Sequence, residues 1–166
     1  MNYSKKISSP IGDLYLIAND HSLIALDNIS NDLYKKSIKS ERHKVLNLTH
    51  MQLDEYFLGK RFEFDLPLAP TGTPFQQKAW KALIKIPYGK VWSYGEQAKF
   101  LKSPNACRAV GGANGKNPIP IIIPCHRVIG STGKLTGYSG GMNMKIGLLK
   151  HEGHQIDGLR LIKIYL

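Results

Sequence analysis

The chain has only two cysteines in 166 residues, Cys107 and Cys125, and no Cys-x-x-Cys pair. That excludes a disulfide-stapled scaffold and a four-thiolate zinc site. No apolar run approaches the ~18 residues of a membrane-spanning helix, so no membrane association is expected. No Gly-x-Gly-x-x-Gly is present, and Val110 stands where a phosphate-binding loop ending at Gly115-Lys116 needs its first glycine. His151-Glu152-Gly153-His154 lacks the four-residue histidine spacing that puts two ligands on one helical face. Neither a metal nor a cofactor is expected. Met1–Lys6 leads into no apolar segment, which points to a cytoplasmic location, where thiols stay reduced.

Acidic residues are scarce in one half. Residues 71–166 hold fourteen Lys and Arg against three acids, Glu96, Glu152 and Asp157, whereas residues 1–70 hold nine of each sign. The whole net charge of +11 therefore lies in the second half. A basic half beside a neutral one suits a polyanionic partner, most simply nucleic acid.

The pattern divides the chain at the breaker-rich stretch Pro67-Leu68-Ala69-Pro70-Thr71-Gly72-Thr73-Pro74. Residues 1–70 read as antiparallel strands, including Leu14–Ala18 and Leu23–Leu26, followed by a polar segment and a helix over Val45–Phe57 stopped by Gly59. After the linker, Thr73, Pro74 and Gln76 form a capping-box start for a helix reaching about Ile86. Ser93 and Glu96 open a second helix, Tyr94 to about Leu101. Ser103-Pro104 opens a third, reaching about Asn114, so that the pair reads as a helix-turn-helix. Alanines and glycines leave that third helix almost bare, with Arg108 as its one long central cation.

Ile121-Ile122-Ile123, bounded by Pro120 and Pro124, reads as a short strand buried on both faces that delivers Cys125, His126 and Arg127. Cationic neighbours lower a thiol's pKa, which marks Cys125 as a nucleophile rather than a core cysteine. Its activation needs a base and a group to orient that base. His126 is adjacent, though successive residues of a strand face opposite ways. Glu96 is committed to a cap and Asp157 lies near the tail, which leaves Glu152 by elimination. Beyond the cysteine, Ser131–Lys134 reads as a turn joining two strands like a wing. Thr136–Gly141 reads as a loop able to close over a ligand, Met142–His151 as a helix, and Ile156–Tyr165 as a final strand or tail.

Pro124-Cys125-His126-Arg127-Val128, preceded by Asn117-Pro118 and an aliphatic run, resembles the active-site signature of the O6-alkylguanine-DNA alkyltransferases, the methylated-DNA–protein-cysteine methyltransferases. The similarity is strong over residues 75–158 and only general over residues 1–70. It implies irreversible, single-turnover transfer of an alkyl group from O6-alkylguanine to Cys125, after the base is flipped from duplex DNA approached through the minor groove. His126 would activate the thiol through a water, Glu152 would orient His126, and Tyr94 would rotate the phosphate and donate a proton to the base. Arg108 would replace the extruded nucleotide. Further DNA contacts are expected at Ser93, Ala109, Gly111, Gly112, Asn114 and Arg127, and a base pocket at Tyr94, Asn117, Val128, Tyr138 and Ser139.

The expected fold is α+β, with residues 1–70 as a small sheet-plus-helix scaffold domain. Residues 71–166 are expected to form a helical, winged-helix-like DNA-binding and catalytic domain. A monomer is expected, with cooperative binding on DNA left open. Two rivals are a Cys–His hydrolase and a non-catalytic lesion-binding protein of the same fold.

Overall fold

A computed structural model describes residues 1–163, in two compact units, Met1–Thr71 and Gly72 onward. In the first unit, β1 (Tyr3–Ser9) and β2 (Gly12–Ala18) form an antiparallel hairpin that pairs Tyr3 with Ala18 and Ser9 with Gly12. Gly12 takes φ +107°, a conformation that favours glycine at the exit of the turn. β3 (Leu23–Asp27) adds antiparallel to β2. After the one-turn helix α1 (Asp32–Lys36), β4 (Ile38–Lys39) adds parallel to β1, giving the order β3-β2-β1-β4.

The long helix α2 (Lys44–Phe57) packs on the sheet, burying Val45, Leu46, Leu53 and Tyr56 while β2 buries Leu14 and Leu16. It stops at Leu58, and Gly59 follows at φ +73°. The expected strands and helix of residues 1–70 are present. The polar segment after residue 30 also contributes an edge strand.

In the second unit, α3 (Pro74–Ile84) begins with the capping box of Thr73 and Gln76, and buries Ala79, Trp80, Ala82 and Leu83. A two-residue strand β5 (Trp92–Ser93) leads into α4 (Tyr94–Phe100), whose capping box is Ser93 with Glu96. The bare helix α5 (Cys107–Gly115) starts three residues later than the sequence suggests, because Pro104 and Asn105 form a turn. Its N-cap is Ala106, with no side-chain cap. Helix α5 buries Val110 and Ala113 against its neighbours, and hydrogen bonds add to this packing. Trp80 Nε1 donates to the Ala113 carbonyl at 2.8 Å. Gln97 and Asn114 exchange reciprocal amide bonds of 3.0 and 2.7 Å in a buried site between α4 and α5.

The isoleucine run is not a strand. Residues 119–123 form a turn closed by Ile123 N–H donating to the Ile119 carbonyl at 2.9 Å, with Ile121 at φ +74°. Prolines on both sides remove ladder donors, so the run turns rather than pairs. It is buried as expected.

β6 (Val128–Ile129) pairs parallel with β5, not as a hairpin with the segment after Lys134. The antiparallel ribbon lies later, between β7 (Gln155–Asp157) and β8 (Arg160–Lys163), after α6 (Met142–His151). The Ser131–Lys134 turn docks on it, since Leu161 N–H donates to the Gly133 carbonyl. The expected final strand is split at Gly158–Leu159, and Ile164 and Tyr165 lie outside the described residues.

Candidate active site and nucleic-acid interface

The turn at 119–123 delivers Cys125, His126 and Arg127 on a single turn of 3₁₀ helix. Ile121 is β-branched and sits in the left-handed region, a conformation that costs of order 1–3 kcal/mol and persists only where the surroundings dictate it. Asn117 is what dictates it. Its Oδ1 accepts from Ile119 N–H at 3.0 Å, and its Nδ2 donates to the Ile123 carbonyl at 2.7 Å and to Cys125 Sγ at 3.2 Å. One side chain thus shapes the turn and touches the sulfur.

Behind the cysteine, Glu152 caps the C-terminus of α6 and is fully buried. Its Oε2 lies 2.6 Å from His126 Nε2, and its Oε1 accepts from Arg127 Nε at 2.7 Å. Arg127 Nη2 reaches Oε2 at 3.2 Å, and Nη1 donates to the Ile86 carbonyl at 2.7 Å. Burial alone would raise the Glu152 carboxyl, but the His126 and Arg127 donors overcome it and hold the group well below the usual carboxylate range.

Burial lowers the His126 pKa, against the pull of Glu152, so the imidazole rests neutral. An ionised carboxylate only accepts, so Nε2 carries the ring hydrogen and Nδ1 keeps its lone pair. Nδ1 is buried without a hydrogen-bond partner among the described residues. The arrangement is a neutral base, oriented from behind, one residue from a thiol. The 3₁₀ turn also removes the opposite-faces objection that an extended strand would raise.

The thiol itself departs from expectation. Burial pushes the Cys125 pKa up, and the Asn117 donor and the Lys145 charge only partly offset it. The neighbouring cations do not activate it, because Arg127 is spent on Glu152 and His126 is neutral. Cys125 therefore rests as a thiol and must be deprotonated to react.

Lys145 was not foreseen. Its Nζ donates to the Val128 carbonyl at 2.8 Å and to the Thr136 carbonyl at 3.2 Å, and burial lowers its pKa to about 8. The signal was present, since Lys145 falls on the buried stripe of α6 with Met144, Leu148 and Leu149. The Tyr138 hydroxyl is buried, and burial, with the Cys125 sulfur nearby, pushes its pKa well up.

An open cleft of about 560 Å³ is lined by Tyr94, Cys107, Arg108, Gly111, Thr136 and Tyr138, together with Ser139. Arg108, Ala109 and Gly112 are exposed on α5, and Gly111 lies under the Tyr94 ring. Ser93 sits half-buried at the start of α4, its hydroxyl capping Glu96 N–H at 3.1 Å.

Two expected DNA contacts are corrected. Arg127 is buried and its donors are engaged by Glu152 and Ile86. Asn114 is buried and paired with Gln97. Both side chains are spent on partners inside the protein. Asn117 and Val128, expected in the base pocket, are both buried, Asn117 bonded to the sulfur and Val128 to Lys145 through its carbonyl. Among the described residues no group of His, Cys, Asp and Glu is arranged to hold a metal, and no helix is long and apolar enough to cross a membrane.

The helix pair α4–α5 and, in the same unit, a buried thiol next to an oriented imidazole are the features of a nucleic-acid-binding protein with a cysteine nucleophile. Residues 74–154 match the 6-O-methylguanine DNA methyltransferase DNA-binding domain, and residues 2–70 match the ribonuclease-like domain of the same enzyme. The chain belongs to the 6-O-methylguanine DNA methyltransferase family. It is 48% identical over 159 residues to the methylated-DNA–protein-cysteine methyltransferase of Methanosarcina barkeri, covering 93% of this chain and 99% of that one. It is 45% identical over 145 residues to the constitutive enzyme of Bacillus subtilis, covering 84% and 88%. The crystal structure of the Mycobacterium tuberculosis O6-methylguanine methyltransferase superposes with a TM-score of 0.86 at 46% identity, over 92% of this chain and 93% of that one. The structure of that organism's OGT in complex with DNA gives 0.84 at 47% identity, over 90% and 92%.

Proposed function

We propose that this chain repairs duplex DNA carrying O6-alkylguanine by moving the alkyl group onto Cys125, once per molecule and without a cofactor. The observation that carries this reading is the Glu152 carboxylate bridging His126 and Arg127 directly behind the cysteine. His126 Nδ1 takes the thiol proton, directly or through solvent. The sulfur attacks the saturated alkyl carbon, the S–C bond forms, and the O6–C bond breaks with its electron pair passing into the purine. A proton from Tyr94 at N3 neutralises the departing base, leaving guanine and a thioether. Glu152 stabilises the imidazolium that develops, while Arg127 keeps the carboxylate ionised.

A base stacked in a duplex cannot reach a buried thiol, so it must be flipped out, at a cost of a few kcal/mol. In this reading α5 enters the minor groove, its bare surface at Ala109, Gly111 and Gly112 admitting the backbone closely. Arg108 fills the vacated stack, and Ser93 meets the phosphate chain. Tyr138 and Ser139 close the loop over the base. Both cysteines are free thiols, in keeping with a reduced, cytoplasmic setting. The active species is a single chain on DNA, and a titration across duplexes of increasing length measures any cooperativity.

The test is intact mass after mixing with a duplex bearing one O6-methylguanine, followed by peptide mapping. One methyl group gained on Cys125, stopping at one equivalent, is the expected result. Tight lesion binding without a mass change would make the protein a sensor, and repeated turnover would make it a hydrolase.

A further inference from the structure

The Tyr94 hydroxyl lies 2.6 Å from Thr136 Oγ1, across 42 residues of sequence. The Thr136 carbonyl accepts from Lys145 Nζ at 3.2 Å, and that ammonium also donates to the carbonyl of Val128 at 2.8 Å. Thr136 is therefore gripped at both of its oxygens, by the first residue of α4 and by the buried face of α6. It lies at the root of the loop that carries Tyr138 and Ser139, and it lines the same cleft as Tyr94.

The Tyr94 ring needs such a tether. It packs over Gly111, where an added Cβ would stand 3.8 Å from the ring, so at that position α5 offers it backbone rather than a side chain. A hydrogen bond at the hydroxyl favours one of the staggered rotamers open to such a side chain. We propose that Thr136 is a positioning residue whose hydroxyl holds the Tyr94 hydroxyl over the cleft, with Lys145 fixing the backbone of Thr136 in turn. This inference rests on Tyr94 acting as the proton donor described above.

The test is single-turnover alkyl transfer at saturating O6-methylguanine duplex, with duplex affinity and melting temperature measured in parallel. Thr136→Val keeps the shape and removes the hydroxyl. It is expected to slow transfer about five- to ten-fold, the worth of one ordinary hydrogen bond, with duplex affinity within about two-fold of the parent. Thr136→Ser restores the hydroxyl and the rate. In a Tyr94→Phe background the bond is already gone, so Thr136→Val is expected to add nothing. A Thr136→Val penalty that persists in that background, or a serine variant as slow as the valine, overturns the proposal while leaving Tyr94's role intact. A Tyr94→Phe protein that transfers at the parental rate overturns Tyr94's role and this inference together.

Discussion

Asn117 Nδ2 stands 3.2 Å from the sulfur of Cys125 while the same amide group donates to the Ile123 carbonyl. A neutral thiol gains little from this donor, whereas a thiolate gains a charge-assisted hydrogen bond, so Asn117 favours the reactive form over the resting one. Among the influences that lower the Cys125 pKa against its burial, this bond is the largest.

Asn117→Leu should therefore slow alkyl transfer about 10- to 100-fold, since hydrogen bonds to charged groups contribute roughly 1.5–3 kcal/mol. The thiol's alkaline titration, followed by reaction with a small alkylating reagent across pH, should move upward. A variant with an unchanged titration but slow transfer would place the effect in the shape of the turn alone.

Glu152 binds its proton more weakly in the folded chain than in the unfolded one. As pH falls below the ordinary carboxylate value of about 4.3, the unfolded chain protonates first. The stability that Glu152 contributes is thus full above that value and is lost as pH drops towards the folded one. Glu152→Gln should flatten this acid limb and, by stranding the Arg127 charge, cost about 3–5 kcal/mol at neutral pH. Urea titrations of both proteins from pH 7 to 3.5 measure both effects, and parallel acid limbs would contradict the assignment.

His126 carries the same sign at milder pH. Its folded pKa lies below the ordinary histidine value of about 6.5, so the base form persists into weakly acidic solution. The single-turnover rate should hold level from neutrality to below that value and only then fall. A midpoint at or above the ordinary value would contradict the lowering by burial.

What the sequence made legible was mostly local. The capping boxes at Thr73 and Ser93 place two helix starts correctly because cap chemistry spans only three residues. Glu152 could be found by elimination because residues 71–166 contain so few acids. Arg127 and Asn114 misled because their partners, Glu152 and Gln97, lie 25 and 17 residues away, and nothing local announces such a pairing. The isoleucine run misled for another reason. Its β-branched, apolar composition describes burial correctly, but Asn117 and the prolines decide its backbone.

The Asn114 correction is itself testable. Its amide is paired with Gln97 in a buried site, so Asn114→Ala leaves a stranded amide and should cost about 1–3 kcal/mol of stability. The slope of log affinity for duplex against log salt should stay unchanged, because no phosphate contact is lost.

Arg108 should show the opposite profile. Its side chain is exposed on α5 and lines the cleft, so removing it disturbs little of the fold. Arg108→Ala is expected to leave unfolding free energy within about 0.5 kcal/mol of the parent, as surface substitutions do. Transfer from duplex DNA should fall about 10- to 100-fold, because the variant cannot offset the few kcal/mol needed to extrude a base. The free alkylguanine base needs no extrusion, and its reaction with Cys125 should proceed at the parental rate. Comparing the two substrates on one protein preparation separates base flipping from thiol chemistry. An equal loss on both would move Arg108 from the groove to the reaction itself.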